Sequence, residues 1–112
     1  MTDNYHPQQN HLLAALSADT YSRLHPHLEL MNFPLGMVLY ESGDTLHHVY
    51  FPLDCIVSLL YVMKSGASAE IAVVGNEGLI GVALFMGGES TTNRAIVQSA
   101  GYAYRMKGQL LK

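Results

Sequence analysis

A single cysteine, Cys55, and no tryptophan stand in 112 residues. One thiol excludes an internal disulfide framework and any four-cysteine cluster drawn from one chain, and it fits a reducing, cytoplasmic setting. Charge is scarce as well: 13% of the residues are Asp, Glu, Lys or Arg, against about a quarter in an ordinary soluble domain. A deficit of that size implies surface that something else covers. Six residues are Lys or Arg and the formal net charge is −3, which excludes the clustered basic face that direct phosphate recognition on nucleic acid requires. No apolar run nears the roughly 18 residues of a membrane span, and the start MTDNYHPQQN has no charged-then-apolar leader profile. What is present is one domain's length of chain, 49% of it hydrophobic, enough for a real core.

Along the chain, residues 1–9 are polar and contain Pro7, which predicts a poorly ordered start; the domain proper is expected over 10–112. Asn10 can cap a helix carrying Leu12, Leu13 and Leu16, and Ser17 can cap a second segment over 18–24 that Pro26 closes. From Leu28 the pattern turns to strands. Short runs at 37–40, 49–51, 56–63, 69–74, 95–98 and 102–106 are separated by Gly, Pro, Asn, Asp and Ser, and Pro52 is expected to stop the run at 49–51. Strands this short with turns this frequent predict an antiparallel sandwich or barrel, mainly β with two short helices in front. Residues 107–112 read as the opening turn of a further helix.

The stretch that promises chemistry is 75–98, GNEGLIGVALFMGGESTTNRAIVQ. It joins a glycine turn, a short apolar run (Ala83, Leu84, Phe85), a loop with the hydroxyls of Ser90, Thr91 and Thr92, and Arg94 at a strand start. Backbone N–H groups and a guanidinium converging on one spot form a small anion cradle. The structural alternative is that Arg94 lies at the mouth of a barrel and pairs with Glu89 or Glu77, or is merely solvated. Both glutamates read as turn or surface residues, because nothing in their loops sets the fixed separation that a pair of catalytic carboxylates needs.

The string Gly36-Met37-Val38-Leu39-Tyr40-Glu41-Ser42-Gly43-Asp44, followed by Val49-Tyr50-Phe51, resembles the strand–turn–strand opening of the cyclic-nucleotide-binding domain in Crp/Fnr-type transcriptional regulators. The segment 81–95 is similar to that family's phosphate-binding cassette. The resemblance spans roughly residues 10–112. It implies a double-stranded β-helix (jelly roll) flanked by short helices, followed by a dimerisation helix and a DNA-binding winged helix-turn-helix that this chain does not include. It implies, too, a non-enzymatic, cytoplasmic sensor that works as a homodimer and takes a cyclic nucleotide or another small anion. Candidate ligand residues carried over from the cassette are Gly81, Val82, Leu84, Phe85, Ser90, Thr91, Thr92, Arg94 and Ala95.

Three of these depart from the family pattern. Where cyclic AMP binders follow the first glycine with a ribose-binding glutamate, Val82 stands; where a second glycine is expected, Leu84 stands; and Arg94 is followed by Ala95 instead of a small hydroxyl residue. The cassette is degenerate, and cyclic AMP is expected to bind weakly or not at all. Two alternatives remain. One is a ligand-free dimerisation scaffold of the same fold. The other is a cupin-like metal enzyme, prompted by His25-Pro26-His27 and His47-His48; against it, adjacent histidines on a strand face opposite sides and no histidine follows His48. Cys55, at the start of an apolar strand, reads as a small buried hydrophobe, and Tyr102 and Tyr104 should share one face.

Overall fold

In the computed structural model, which describes residues 4–81 and 93–108, two antiparallel sheets face each other across a core. Strands β1 (Glu29–Phe33), β7 (Gly101–Lys107) and β3 (His48–Pro52) form one sheet in the order β1-β7-β3; β2 (Val38–Tyr40), β6 (Asn93–Ser99), β4 (Ile56–Val62) and β5 (Ser68–Val74) form the other in the order β2-β6-β4-β5. That is the jelly roll expected, with β2 to β7 within a residue or two of the runs marked by apolar and β-branched side chains, and β1 in the stretch after Leu28 where the pattern turns to strands. Pro52 does not stop β3 but ends it, still opposite Ala103; it completes the strand because its missing N–H falls at the last residue. Lys107 closes β7 rather than opening a helix, and a helical turn is entered only at Gly108.

Two helices cover the outer side of the three-stranded sheet. In α1 (His11–Ala14) the Asn10 side chain accepts from the backbone N–H of Leu12 and Leu13, and in α2 (Ala18–Leu24) the Ser17 hydroxyl accepts from that of Thr20, both as the caps in the sequence predict. Alternation along the strands divides the core in two. Val49, Phe51 and Met106 point at the helices and pack with Leu13 and Leu24. Phe33, Val57, Ala95, Val97 and Ala103 fill the space between the sheets, with Cys55 beside them and Tyr50 packed against them.

Residues 4–9, where a poorly ordered start is expected, lie against this framework. The Tyr5 ring stacks on Tyr102 with centroids 4.3 Å apart, its hydroxyl donates to Asp54 at 2.7 Å, and its carbonyl accepts from the Tyr104 hydroxyl at 3.2 Å. Tyr102 and Tyr104 do share a face, and Tyr5 is what it carries. Asn10, fully buried, extends the tie: its Nδ2 donates to the carbonyls of Pro52 and Gly78 at 2.9 and 2.8 Å.

Candidate functional site

The end of β5 leads through a turn to Ile80, which exchanges two backbone hydrogen bonds with Tyr50, 2.9 and 2.8 Å. This bridge docks the root of the cassette-like segment onto β3. Gly81 follows it at φ +101°, and a Cβ placed there would stand 2.8 Å from the His48 carbonyl oxygen and 3.3 Å from the Val49 Cα. Only glycine fits that approach at that dihedral. Gly81 is therefore required by packing, whatever it does for a ligand.

The predicted site residues Val82, Leu84, Phe85, Ser90, Thr91 and Thr92, together with Glu89, lie outside the described residues. Arg94 and Ala95 return in β6. Ala95 is wholly buried between the sheets, as is Val97 but for a trace. Period-two alternation therefore puts Arg94 on the outer side of the sheet with Ile96. Its Nε lies 3.0 Å from Glu41 Oε1, just past the end of β2. The N–H does not aim at that oxygen, so the contact is ionic and the enclosed Nε has no hydrogen-bond acceptor among the described residues.

Among the described residues the carboxylate beside Arg94 is Glu41, which the sequence does not single out as it does Glu77 and Glu89. Glu77 is engaged elsewhere: it accepts from the Gly75 N–H at 3.1 Å, which holds its carboxyl below the usual range. The signal that points to Glu41 is strand pairing. Tyr40 lies opposite Ala95, so the residue after one meets the residue before the other.

Inside the roll, Tyr50 faces the space between the sheets. Its ring meets Phe33 edge-on at 5.6 Å, and burial raises its hydroxyl pKa against the opposing pull of the Arg105 guanidinium. Tyr40, 8% exposed, is pushed up to about 12 by burial. Arg105 itself is bound to Glu29, Nε to Oε1, at 2.7 Å. Both tyrosines thus stay neutral hydrogen-bonding groups at physiological pH. The Cys55 thiol, 1% exposed, is raised to about 11 by burial and the nearby Asp54, which suits a packed side chain and not a reactive one.

The histidines do not converge. His25 and His27 sit exposed in a single helical turn after α2, while His47 and His48 stand at the start of β3, one exposed and one half-buried. Among the described residues no three His, Cys, Asp or Glu side chains stand together as a metal site would need, and no helix is long and apolar enough to cross a membrane.

Residues 30–112 match the family model described as the cyclic nucleotide-binding domain. Among curated proteins none matches the chain. Solved structures similar to it include the sensor domain of the transcriptional regulator DNR from Pseudomonas aeruginosa, at 19% identity and a TM-score of 0.77 over 92% of this chain and 69% of that one. The N-terminal domain of a transcriptional regulator from Streptomyces coelicolor is similar at 24% identity and a TM-score of 0.76, over 94% of this chain and 73% of that one. The c-di-GMP responsive global regulator CLP of Xanthomonas campestris follows at 16% identity and 0.73, over 85% of this chain and 46% of that one. At these identities the likeness is one of fold.

Proposed function

The chain belongs to the cyclic nucleotide-binding domain family, and from that premise we propose that it is the ligand-sensing regulatory domain of a Crp/Fnr-type DNA-binding transcriptional regulator in which cyclic AMP binds weakly or not at all. The fold likeness to the sensor domain of one transcriptional regulator and the N-terminal domain of another supports the regulatory part of this reading. On it, the domain works as a homodimer in the complete regulator, DNA is contacted by a helix-turn-helix beyond Lys112, and the domain is not itself an enzyme. A ligand in such a design shifts a two-state equilibrium by no more than its differential affinity for the two states.

The observation that carries the weak-binding part is the ion pair of Arg94 with Glu41. The one guanidinium of the cassette faces a carboxylate already, so a phosphate drawn to Arg94 must work against Glu41. A pair this exposed is worth at most about 1 kcal/mol, or roughly five-fold in affinity. The larger effect is the valine at position 82. A charge-assisted hydrogen bond to a ribose hydroxyl contributes about 1.5–3 kcal/mol, so its absence weakens a cyclic nucleotide by one to two orders of magnitude, roughly. The same ion pair favours, as second reading, a ligand-free scaffold in which Glu41 substitutes permanently for an anion.

Calorimetric titration with cyclic AMP and cyclic GMP tests the proposal. No heat of binding is expected below the high-micromolar range, and Glu41→Gln should strengthen any residual binding of the anion; sub-micromolar cyclic AMP binding would sink it.

A further inference from the structure

The helices α1 and α2 do not close over the outer side of the three-stranded sheet. Between them and β3 lies a cavity of about 400 Å³ that opens to solvent. Its floor is the second core, where Leu13, Leu24 and Phe51 are each no more than 3% exposed. Its walls are apolar too: Leu16 and Leu79 pack on that core, and Leu12, 39% exposed, stands at the lip. The gap has a local cause. α1 is a single turn and the link to α2 begins with Ala15, whose side chain is too small to fill the space at that edge.

Two polar side chains meet this cavity, Arg23 and Thr20, and they come from one face of α2, three residues apart. Arg23 is exposed and pairs with no carboxylate among the described residues, Asp19 one turn before it included. The Thr20 hydroxyl accepts from Ser17 at 2.9 Å and so keeps its own proton to donate. An apolar cavity with one unneutralised guanidinium and one hydroxyl donor at its rim matches an anion carried on an aliphatic tail.

The geometry points to a binding site for a free fatty acid of medium chain length, its tail in the cavity against Leu12, Leu16 and Leu79 and its carboxylate at Arg23 and Thr20. Volume bounds the tail. A cavity of about 150 Å³ takes a benzene, so a cavity of about 400 Å³ that is open on one side takes roughly eight to twelve carbons. Charge selects the head group: a cationic amphiphile would set its charge against Arg23, and an alcohol would leave the guanidinium without a partner. Among the described residues Arg23 is the one Lys or Arg that meets the cavity, so the head-group contact is assigned to a single side chain. The site lies on the opposite side of the molecule from Arg94 and Glu41, which stand on the outer side of the other sheet. It is independent of the cyclic-nucleotide reading, and a cassette that binds nothing leaves it intact.

Calorimetric titration of the whole chain with octanoate, decanoate and dodecanoate, each below its micellar concentration, tests the assignment. Affinity should rise by up to about four-fold per methylene and level off once the cavity is full. Decanoate should bind at least about ten-fold more tightly than decyltrimethylammonium. Arg23→Gln, at an exposed position, should weaken decanoate about five-fold and leave decanol unchanged, whereas Leu12→Gln, also exposed, should weaken acid and alcohol alike. Lys64→Gln, in the turn between β4 and β5, should alter neither. No binding at about 1 mM decanoate, as when a segment of protein fills the cavity, overturns the proposal. So does affinity that ignores chain length, equal binding of acid and ammonium, or decanoate binding that Arg23→Gln leaves intact. The response to cyclic AMP bears on none of these outcomes, so the two readings fail separately.

Discussion

Replacing Gly81 with alanine tests the root of the cassette-like segment most directly. Two costs add. An L-residue held at φ +101° lies outside the ordinary regions, at about 1–3 kcal/mol. The new methyl would also stand 2.8 Å from the His48 carbonyl oxygen and 3.3 Å from the Val49 Cα, and these are backbone atoms of a strand paired to β7 on one side and bridged to Ile80 on the other. Relief requires moving β3 or breaking the Tyr50–Ile80 bridge, and each lost backbone bond costs about 1 kcal/mol. The sum is about 2–5 kcal/mol, a large share of the roughly 5–15 kcal/mol that holds a small domain. Gly66→Ala is the control: its φ is +90° and nothing lies within 4 Å of the added Cβ, so it bears the dihedral cost without the clash. Urea denaturation followed by far-UV circular dichroism gives both differences on one scale. Gly81→Ala is expected to lose at least about 1 kcal/mol more than Gly66→Ala. Equal losses, or a smaller one at Gly81, would show that the close approach to β3 contributes nothing and refute the packing argument.

Two further outcomes follow from the same geometry. Asn10→Ala removes the α1 cap and both bonds from a fully buried amide to the Pro52 and Gly78 carbonyls, so it should destabilise by about 2–4 kcal/mol; a loss under about 1 kcal/mol in the same urea assay would contradict it. The second concerns pH. His48 has its pKa lowered, first by burial, then by Arg105, with His47 and Lys107 adding to the effect and Glu29 opposing it. The unfolded chain therefore binds this proton more readily than the folded one, and the contribution is fully present above the unfolded value of about 6.5 and lost as pH falls through it toward the folded value. Stability should drop as pH is lowered from neutrality into this window, with a shallower slope in His48→Gln; identical slopes would assign the pH dependence to other groups.

Much of the fold is legible in local sequence. The caps Asn10 and Ser17, the apolar runs that became β4 and β5, and the burial of Cys55 each depend on residues within a few positions of one another, where backbone propensity and period decide. The antiparallel two-sheet arrangement followed from strand length and turn spacing. Gly81 was legible as a special glycine, though the reason for it, the carbonyl of His48, was not.

What the tertiary structure alone decided are the long-range meetings. Tyr5 is a polar-tail residue by sequence and a stacked anchor by position, because Tyr102 and Asp54 reach it from two other elements. In the sequence Arg94 is an anion-cradle guanidinium or the partner of Glu77 or Glu89. Only the pairing of β2 with β6 brings Glu41 to it, and only the burial of Ala95 and Val97 fixes which face it takes. The sequence by itself determined which segments extend, which turn and which are apolar, since those are local free energies. Strand order and register, settled by packing over the whole domain, decided that Arg94 faces outward against a carboxylate.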